Sequence, residues 1–380
     1  MPVAADDKPR NDARGPVPRV LHVVDADHIE RFGRMFRQLG LALSDAGVDV
    51  SILTNDAQAA LKFDGTPIGQ HYFSTLRGWG VWRLYRFLRQ EFNPPPTAVH
   101  LWGTGAIGYL SDWTLNTGAT LFIHATALRD VERLKRRGLH HNERVISGCL
   151  DFQEQLRERW PTVAEDIVLH PPALLRPERL PELAPRGRTL GVLWTGRMES
   201  DSGVELLIDA VAQLRDKDCD LHVALIGRGP AARSYWRAVR ALRIQDRFSL
   251  VPEPHIWDQT MSGADVLVVP TCHGELGLAP LLAMALGKIV IASRDQVAEW
   301  FIEDETTLQF APGSAVELAY HLSRVAARLP GVRALARNAA EYVRNRHAVT
   351  TLAEQLADLY ADSADRRRAG EATAASGRSA

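Results

Sequence analysis

Short apolar runs alternate with longer amphipathic segments along most of this chain, and the alternation occurs in two successive series. The first series opens with RVLHVVDA at 19–26, continues through an amphipathic segment and reaches VDVSILTND at 48–56. Short β-branched runs predict strands, and apolar residues spaced three and four apart predict helices. A strand–helix–strand order favours parallel strands joined by right-handed crossovers. We therefore predict an α/β chain built on parallel sheets.

The two series predict two doubly wound, Rossmann-like domains that face each other across a cleft. We assign 19–175 to the first domain and 190–345 to the second, with a helix at 346–364 after them. The Pro- and Arg-rich segment at 174–189 has no apolar period and suits a connector. Ligands of such sheets bind at the carboxyl ends of the strands, so the cleft is the expected site.

Both ends of the chain differ in composition from the rest. Small, charged and proline residues dominate 1–18 and 365–380, and such residues bury too little apolar surface to offset the entropy of ordering. We expect both ends to be disordered. The start lacks the apolar stretch of a signal peptide, and no apolar run approaches about 18 residues. We therefore expect a cytoplasmic protein.

Charge and cysteine usage exclude several classes of protein. The formal net charge of the 380 residues is -1, so the chain lacks the positive excess of a general nucleic-acid binder, and we expect no nucleic-acid partner. The cysteines Cys149, Cys219 and Cys272 lie far apart in the sequence. This spacing predicts neither a disulfide framework nor a zinc site.

Two further motifs are interpreted as structural. Cys272, His273, Glu275 and His255 could each ligate a metal, but their spacing fixes no coordination geometry, and we predict no metal. The run GRGPAA at 227–232 fits G-x-G-x-x-A, a phosphate-loop pattern. It is not the first βα turn of its domain, and its proline removes an amide donor, so we predict a structural loop.

Five segments of the second series, taken in order, resemble the second half of a GT-B glycosyltransferase of the retaining family 4. They are WTGRMESDSGVELLIDAV, LIGRGP, ADVLVVPT, ELGLAPLLAMALGKIVIAS and VAEWFIEDETTLQFAPGSAVELA. Their order and spacing agree with that family over about 190–322, and the first series resembles it more loosely. The resemblance implies a retaining hexosyltransferase that moves a sugar from a nucleoside diphosphate sugar to an acceptor hydroxyl and needs no cofactor.

The resemblance also implies where the donor binds. Arg197, which follows Gly196 after a predicted strand, matches the family's diphosphate-binding arginine, and Gly277 with Leu278 matches its phosphate-facing helix start. Charge that grows on a leaving diphosphate requires fixed positive charge and backbone donors at this place. His124, at the end of the predicted strand TLFIHA, matches a family histidine that contacts the donor sugar.

Three positions depart from the family pattern. Ser202 stands where the family has a lysine before a glycine. The family's E-x(7)-E pair aligns with Gly274 and Leu282, and Glu275 comes one residue late. We predict Ser202 as donor-binding, and Glu275 as catalytic together with His124. Two alternatives stay open: a non-catalytic binding or scaffold protein that kept the fold, and a sugar-nucleotide epimerase.

The segment 77–92 suggests how the acceptor is reached. One stripe of its predicted helix is apolar, and the opposite face carries Arg83 and Arg86 beside Trp82. Such a face is typical either of a solvated arginine surface or of a helix on an anionic membrane, and 135–137 adds a basic cluster. We expect a saccharide or lipid-linked acceptor, with peripheral contact at the inner membrane face as an open alternative.

Overall fold

Two parallel sheets form the framework of the protein in the computed structural model, which confirms the predicted fold class. The first sheet has seven strands in the order β3-β2-β1-β4-β5-β6-β7, and the second has six in the order β10-β9-β8-β11-β12-β13. Each strand order reverses once, which places helices on both faces when crossovers are right-handed. The described residues are 17–58, 63–74, 81–175, 189–217, 219–251, 257–271, 274–328 and 331–376.

The first sheet is formed by residues before the connector. Its strands are β1 (Arg19–Val24), β2 (Asp49–Thr54), β3 (Gly69–Tyr72), β4 (Ala98–Trp102), β5 (Thr120–Ala125), β6 (Glu143–Ser147) and β7 (Val168–Leu169). Its helices are α1 (Ala26–Asp45), α2 (Val81–Glu91), α3 (Ile107–Thr117), α4 (Leu128–Arg137) and α5 (Leu150–Arg159). The central pairing joins Val20 to Val50 on one side and to Ala98 on the other.

The second sheet repeats the plan. Its strands are β8 (Leu190–Thr195), β9 (Leu221–Ile226), β10 (Phe248–Val251), β11 (Val266–Val269), β12 (Ile289–Ser293) and β13 (Leu308–Phe310). The helices that follow are α6 (Val204–Gln213), α7 (Ala232–Ala241), α8 (Trp257–Gly263), α9 (Leu278–Ala285), α10 (Ala315–Ala326), α11 (Val332–Arg346) and α12 (Val349–Ser376).

The second sheet separates two apolar cores. Alternate residues of a strand point to opposite faces, so Val266 and Val268 enter one core and Leu267 enters the other. The core that contains Leu267 also includes apolar residues of α9, α11 and the first domain. The two domains are therefore joined by continuous apolar packing as well as by the connector.

The last helix returns to the first domain. At its start, Leu174 donates to the carbonyl of His347 over 2.9 Å, and the amide of Val349 donates to Leu174 over 3.0 Å. Further along, α12 packs against α1. It continues through Ser376, whereas the sequence led us to expect a disordered tail from 365. The helix therefore extends past the boundary at 365, and disorder of the tail stays a prediction.

A cluster of buried imidazoles lies between the first sheet and α12. Its members are His22, His100, His124 and His170. Tyr360 of α12 donates to His100 Nδ1 over 2.5 Å, and His100 Nε2 lies 3.2 Å from His124 Nδ1. His170 Nε2 donates to the carbonyl of Leu352, also in α12, over 3.1 Å. The cluster thus ties the last helix to the sheet.

Burial keeps these imidazoles neutral. It lowers the pKa of His22 to about 3 and that of His170 to about 4, and it lowers the pKa of His100 and of His124 well below 6.5. His347, whose Nδ1 donates to the carbonyl of Pro172 over 2.8 Å, has its pKa lowered to about 4, also by burial. A charged imidazole here would lose its hydration.

We expect the folded chain to lose stability as the pH falls below about 6.5. The unfolded chain then takes up protons that His22, His100, His124, His170 and His347 exclude in the folded chain, so each of these five contributes a slope of up to about 1.4 kcal/mol per pH unit. Urea unfolding between about pH 7.5 and 5 measures this slope.

His141→Gln is the control, because His141 is exposed and should leave the slope unchanged. The variant His22→Gln should reduce the slope. A transition midpoint that stays constant over this pH range would contradict the prediction.

Candidate functional site

The loops that follow β8 and β9 support each other through their backbones. The amide of Met198 donates to the carbonyl of Arg228 over 2.9 Å. Gly227 has a φ of +143°, and a Cβ atom there would lie 1.9 Å from the carbonyl oxygen of Gly196. Only glycine fits such an approach. The glycines of the GRGPAA run therefore act on the neighbouring loop, which carries Arg197.

Arg197 lies in the gap between the domains, after the end of β8. Its Nε donates to Glu199 over 3.0 Å, and its Nη1 is 3.9 Å from the carboxylate of Glu30 in α1. Hydrogen bonding to Glu199, reinforced by the charge of Glu30, raises the pKa of Arg197. The side chain is 62% exposed. A fixed cation therefore stands at the carboxyl edge of the second sheet, and solvent can reach it.

Ser202 does not face this gap. It is buried, and its hydroxyl lies 2.8 Å from that of Tyr235 in α7. The Tyr235 hydroxyl in turn donates to the carbonyl of Glu199. In this structure its small hydroxyl holds the 199–203 turn against α7, and donor binding by Ser202 stays a prediction.

The start of α9 is open. Gly277 is its N-cap, Leu278 is its first residue, and a Cβ atom on Gly277 would meet nothing within 4 Å. In the part of the chain that the structure describes, no hydrogen-bond partner is found for the amides of Gly277 and Leu278. The helix follows β11, which neighbours β8 in the sheet. Its dipole and free amides suit an anion beside Arg197.

Glu275 is held by the first domain. The loop 274–276 pairs with 126–128: Leu276 donates to Thr126 over 2.9 Å, and Leu128 donates to Gly274 over 2.6 Å. The Glu275 carboxylate lies between two arginines of the first domain, which are described below. In this structure Glu275 contacts the first domain, and its catalytic role stays a prediction.

His124 is enclosed in the first domain. Its Nε2 donates to the carbonyl of His170 over 3.0 Å, and its Nδ1 faces His100. Its ring centroid lies 4.1 Å from that of Trp102. The ring is buried and both nitrogens have partners, and the contact of His124 with a donor sugar stays a prediction.

A polar network at the start of α1 escaped the sequence analysis. His28 Nδ1 lies 2.6 Å from a carboxylate oxygen of Asp25, and Nε2 lies 2.8 Å from the hydroxyl of Thr126. Asp130 accepts from the amide of Thr126 over 3.2 Å. An aspartate that orients an imidazole can hold a proton on Nδ1. The signal was present in DADH, where polar residues directly follow β1.

Arg31 and Arg129 were also missed. Arg31 Nη1 lies 3.7 Å from Glu275 Oε2 and donates to the carbonyl of Leu276 over 3.0 Å. Arg129, at the start of α4, forms an ion pair with the same carboxylate. The apolar pattern of their segments could not place these two arginines at the cleft, because their partner Glu275 belongs to the other domain.

The described residues contain neither a metal-binding cluster nor a membrane-spanning helix. Within the described ranges, no three His, Cys, Asp or Glu residues come together in a metal-binding arrangement. Cys272, His273 and His255 lie outside those ranges. Among the described helices, none combines the length and the apolar character required to cross a bilayer.

The surface of α2 follows the predicted stripe. Leu84 and Leu88 are buried, whereas Trp82 is 84% exposed and Arg83 and Arg86 are exposed. Phe87 packs against Phe73, with ring centroids 5.2 Å apart. Residues 77 and 79, which we had included in this surface, lie outside the described residues.

Comparisons with solved structures define the class of fold. A glycosyltransferase from Rickettsia africae has a TM-score of 0.73 at 15% identity, covering 91% of this chain and 98% of that one. Anabaena Alr3699/HepE in complex with UDP has a TM-score of 0.72 at 15% identity, covering 91% and 100%. With its two parallel α/β domains, the chain has the GT-B fold, as the resemblance implied.

Sequence comparisons identify the second domain. Residues 189–328 match the family described as Glycosyl transferases group 1, so the chain contains a domain of that kind. Alpha-D-kanosaminyltransferase of Streptomyces kanamyceticus is 27% identical over 44% of this chain and 45% of its own length. D-inositol 3-phosphate glycosyltransferase of Corynebacterium diphtheriae is 27% identical over 51% and 53%. The chain thus spans about half the length of these relatives.

Leu282 occupies the position of the second glutamate in the E-x(7)-E pair, and its substitution by glutamate tests whether this position faces a nucleotide. It lies in α9, is buried and packs in the core shared by the two domains. We expect Leu282→Glu to lower the free energy of unfolding by about 3 kcal/mol, because a buried carboxylate has no partner there. Thermal and urea unfolding, with and without UDP, measure the effect.

Val316→Glu is the matched control, since Val316 is 68% exposed on α10 and accepts the same charge in water. Wild-type stability of Leu282→Glu combined with tighter UDP binding would contradict the prediction. That result would mean that position 282 faces a nucleotide.

Proposed function

We propose that this protein transfers a sugar, of hexose type, from a nucleoside diphosphate sugar to an acceptor hydroxyl with retention of configuration. The proposal depends on the placement of two groups. Arg197 follows β8 and the open start of α9 follows the neighbouring strand β11, and Arg197 faces the first domain. The glycosyltransferase relatives, and a structural neighbour in complex with UDP-glucose, support a nucleotide-sugar donor.

The chemistry follows from charge. Negative charge grows on the diphosphate as the glycosyl bond breaks, and fixed donors that face it stabilise the transition state more than the ground state. In this proposal Arg197 and the amides of Gly277 and Leu278 supply those donors, and Gly196 allows the arginine loop to approach. Because they neutralise the leaving group, the reaction requires no metal.

The proposal assigns the acceptor proton to the leaving phosphate and uses no protein base. This assignment agrees with the burial of His124, whose ring nitrogens are both occupied. Glu275 can contact the donor sugar only after it leaves its arginine partners. None of the relatives or neighbours reported above is described as an epimerase or a non-catalytic protein, so no observation favours those alternatives.

Arg197→Ala should weaken UDP binding by about tenfold to a hundredfold, because a hydrogen bond to a charged group contributes about 1.5 to 3 kcal/mol. Ser202→Ala is the matched control and should leave UDP affinity near wild type, since Ser202 contacts Tyr235 and not the cleft. Titration calorimetry with UDP compares the two. Equal affinities for wild type and Arg197→Ala would remove the diphosphate assignment.

Retention of the anomeric configuration is tested by a separate measurement. Donor sugars of the UDP-, GDP- and ADP-linked types are first screened by thermal stabilisation, which reports binding to the folded state. Slow hydrolysis of a bound α-linked donor is then followed by proton NMR before the free sugar mutarotates. Retention predicts that the α anomer appears first. Initial release of the β anomer would exclude it.

We further infer that the exposed face of α2 makes peripheral contact with an anionic membrane, where a lipid-linked acceptor would be found. Support comes from the exposed indole of Trp82 beside two exposed arginines, Arg83 and Arg86. Interfacial aromatic rings and basic side chains are the features of helices that lie on such surfaces. The basic cluster at 135–137 belongs to the same domain.

Arg83→Glu/Arg86→Glu should abolish co-sedimentation with anionic liposomes at low salt, because each basic residue near an anionic surface contributes about 1 kcal/mol. Binding by the wild type should also weaken as salt is raised. Arg333→Glu/Arg337→Glu, on exposed positions of α11, is the control. Equal sedimentation of wild type and the α2 variant would assign this face to solvent.

A further inference from the structure

One carboxylate of the second domain serves two arginines of the first. Glu275 is paired with Arg129 and lies 3.7 Å from Arg31 Nη1. The Arg129 side chain is 57% exposed and that of Glu275 is 30% exposed, so solvent reaches this contact. Ion pairs that solvent reaches contribute little to stability, so another anion can replace Glu275 at little cost.

Arg31 has more donor capacity than the folded chain uses. Its side chain is only 17% exposed, and burial lowers its pKa. Nη1 donates to Leu276, and Nη2 lies 3.4 Å from His28 Nε2. Its Nε is buried and has no hydrogen-bond partner in the described part of the chain. A buried guanidinium with an unused N–H donor at a domain boundary can take one more hydrogen-bond acceptor, such as an oxygen of a ligand.

The nearby aspartates do not supply that acceptor. Asp25 is engaged by His28 over 2.6 Å. Asp130 accepts from the hydroxyl of Thr104 over 2.8 Å and from the amides of Thr126 and Ala127 over 3.2 and 3.1 Å. Among the carboxylates in the described part of the chain, Glu275 is thus the one that directly faces both guanidinium groups.

We propose that Arg31 and Arg129 form a phosphate-binding site on the first domain, and that the Glu275 carboxylate takes the place of the phosphate when no ligand is bound. A phosphate monoester carries about two negative charges near pH 7 and matches two arginines better than one carboxylate does. The ligand class is a small molecule that bears a phosphate close to its acceptor hydroxyl. The identification of this ligand as the sugar acceptor rests on the proposed function, whereas the phosphate site itself does not.

The exchange has a consequence for Glu275. When a phosphate binds to the two arginines, the carboxylate loses its partners and is repelled by the arriving charge. Glu275 then becomes available to the donor side of the cleft, next to the start of α9. Binding of the phosphate-bearing ligand would thus release the side chain that the sequence had assigned to the sugar.

The test is a calorimetric titration with inorganic phosphate. Glu275→Gln removes the competing charge and keeps the shape, so it should bind phosphate about tenfold more tightly than wild type. Glu275→Gln/Arg129→Gln should lose that gain. Glu275→Gln/Arg197→Gln is the matched control and should keep it, because Arg197 faces the separate donor position. Melting temperatures establish that each variant is folded.

Three results would overturn the proposal: no gain in Glu275→Gln, a gain that survives removal of Arg129, or a gain that disappears with Arg197. The last would place the phosphate at the donor diphosphate position. Parallel titrations with UDP separate this inference from the proposed function. Absence of UDP binding in every protein would refute the donor assignment, and a phosphate gain dependent on Arg129 would still support the site.

Discussion

Parallel pairing is the constraint on which the rest of the molecule depends. All strands of one sheet end at the same edge, so every loop that carries a polar residue of interest is delivered to that edge. The edge of the first sheet presents the Asp25–His28 network and Arg129, and that of the second presents Arg197, Glu275 and the start of α9. Facing the two edges toward each other creates the cleft without any further element.

Contacts within the cleft are balanced by charge. Arg197 of the second domain faces Glu30 of α1, and Glu275 of the second domain faces two arginines of the first. These contacts join opposite domains, and in each of them a group that could bind a ligand is paired with a protein side chain. Such pairs hold the cleft closed weakly, because their solvent exposure limits their strength. An incoming anionic ligand therefore replaces existing attraction and does not have to create it.

The sequence predicted the architecture well because apolar periodicity is local. The start of α9 at Leu278 and the buried stripe of α2 follow directly from residue spacing. Side-chain contacts at the cleft could not be predicted from residue spacing, because several of them are made with the opposite domain. Ser202 contacts Tyr235, and Glu275 forms ion pairs with arginines that are remote in sequence. The burial of His124 could not be recognised from local sequence, because its neighbours His100 and His170 are bonded to α12, which is remote in the chain.

The return of α12 changes what counts as one half of the protein. The backbone crosses between domains twice, and the crossings are bonded to each other where Leu174 meets His347 and Val349. The first domain is thus discontinuous in sequence: its sheet comes from residues before the connector, and one wall of its core comes from α12. A fragment cut at the connector would leave His100 and its neighbours facing water. Halves made for separate expression should carry α12 fused to the first domain, and a circular permutation that joins them is the natural way to do so.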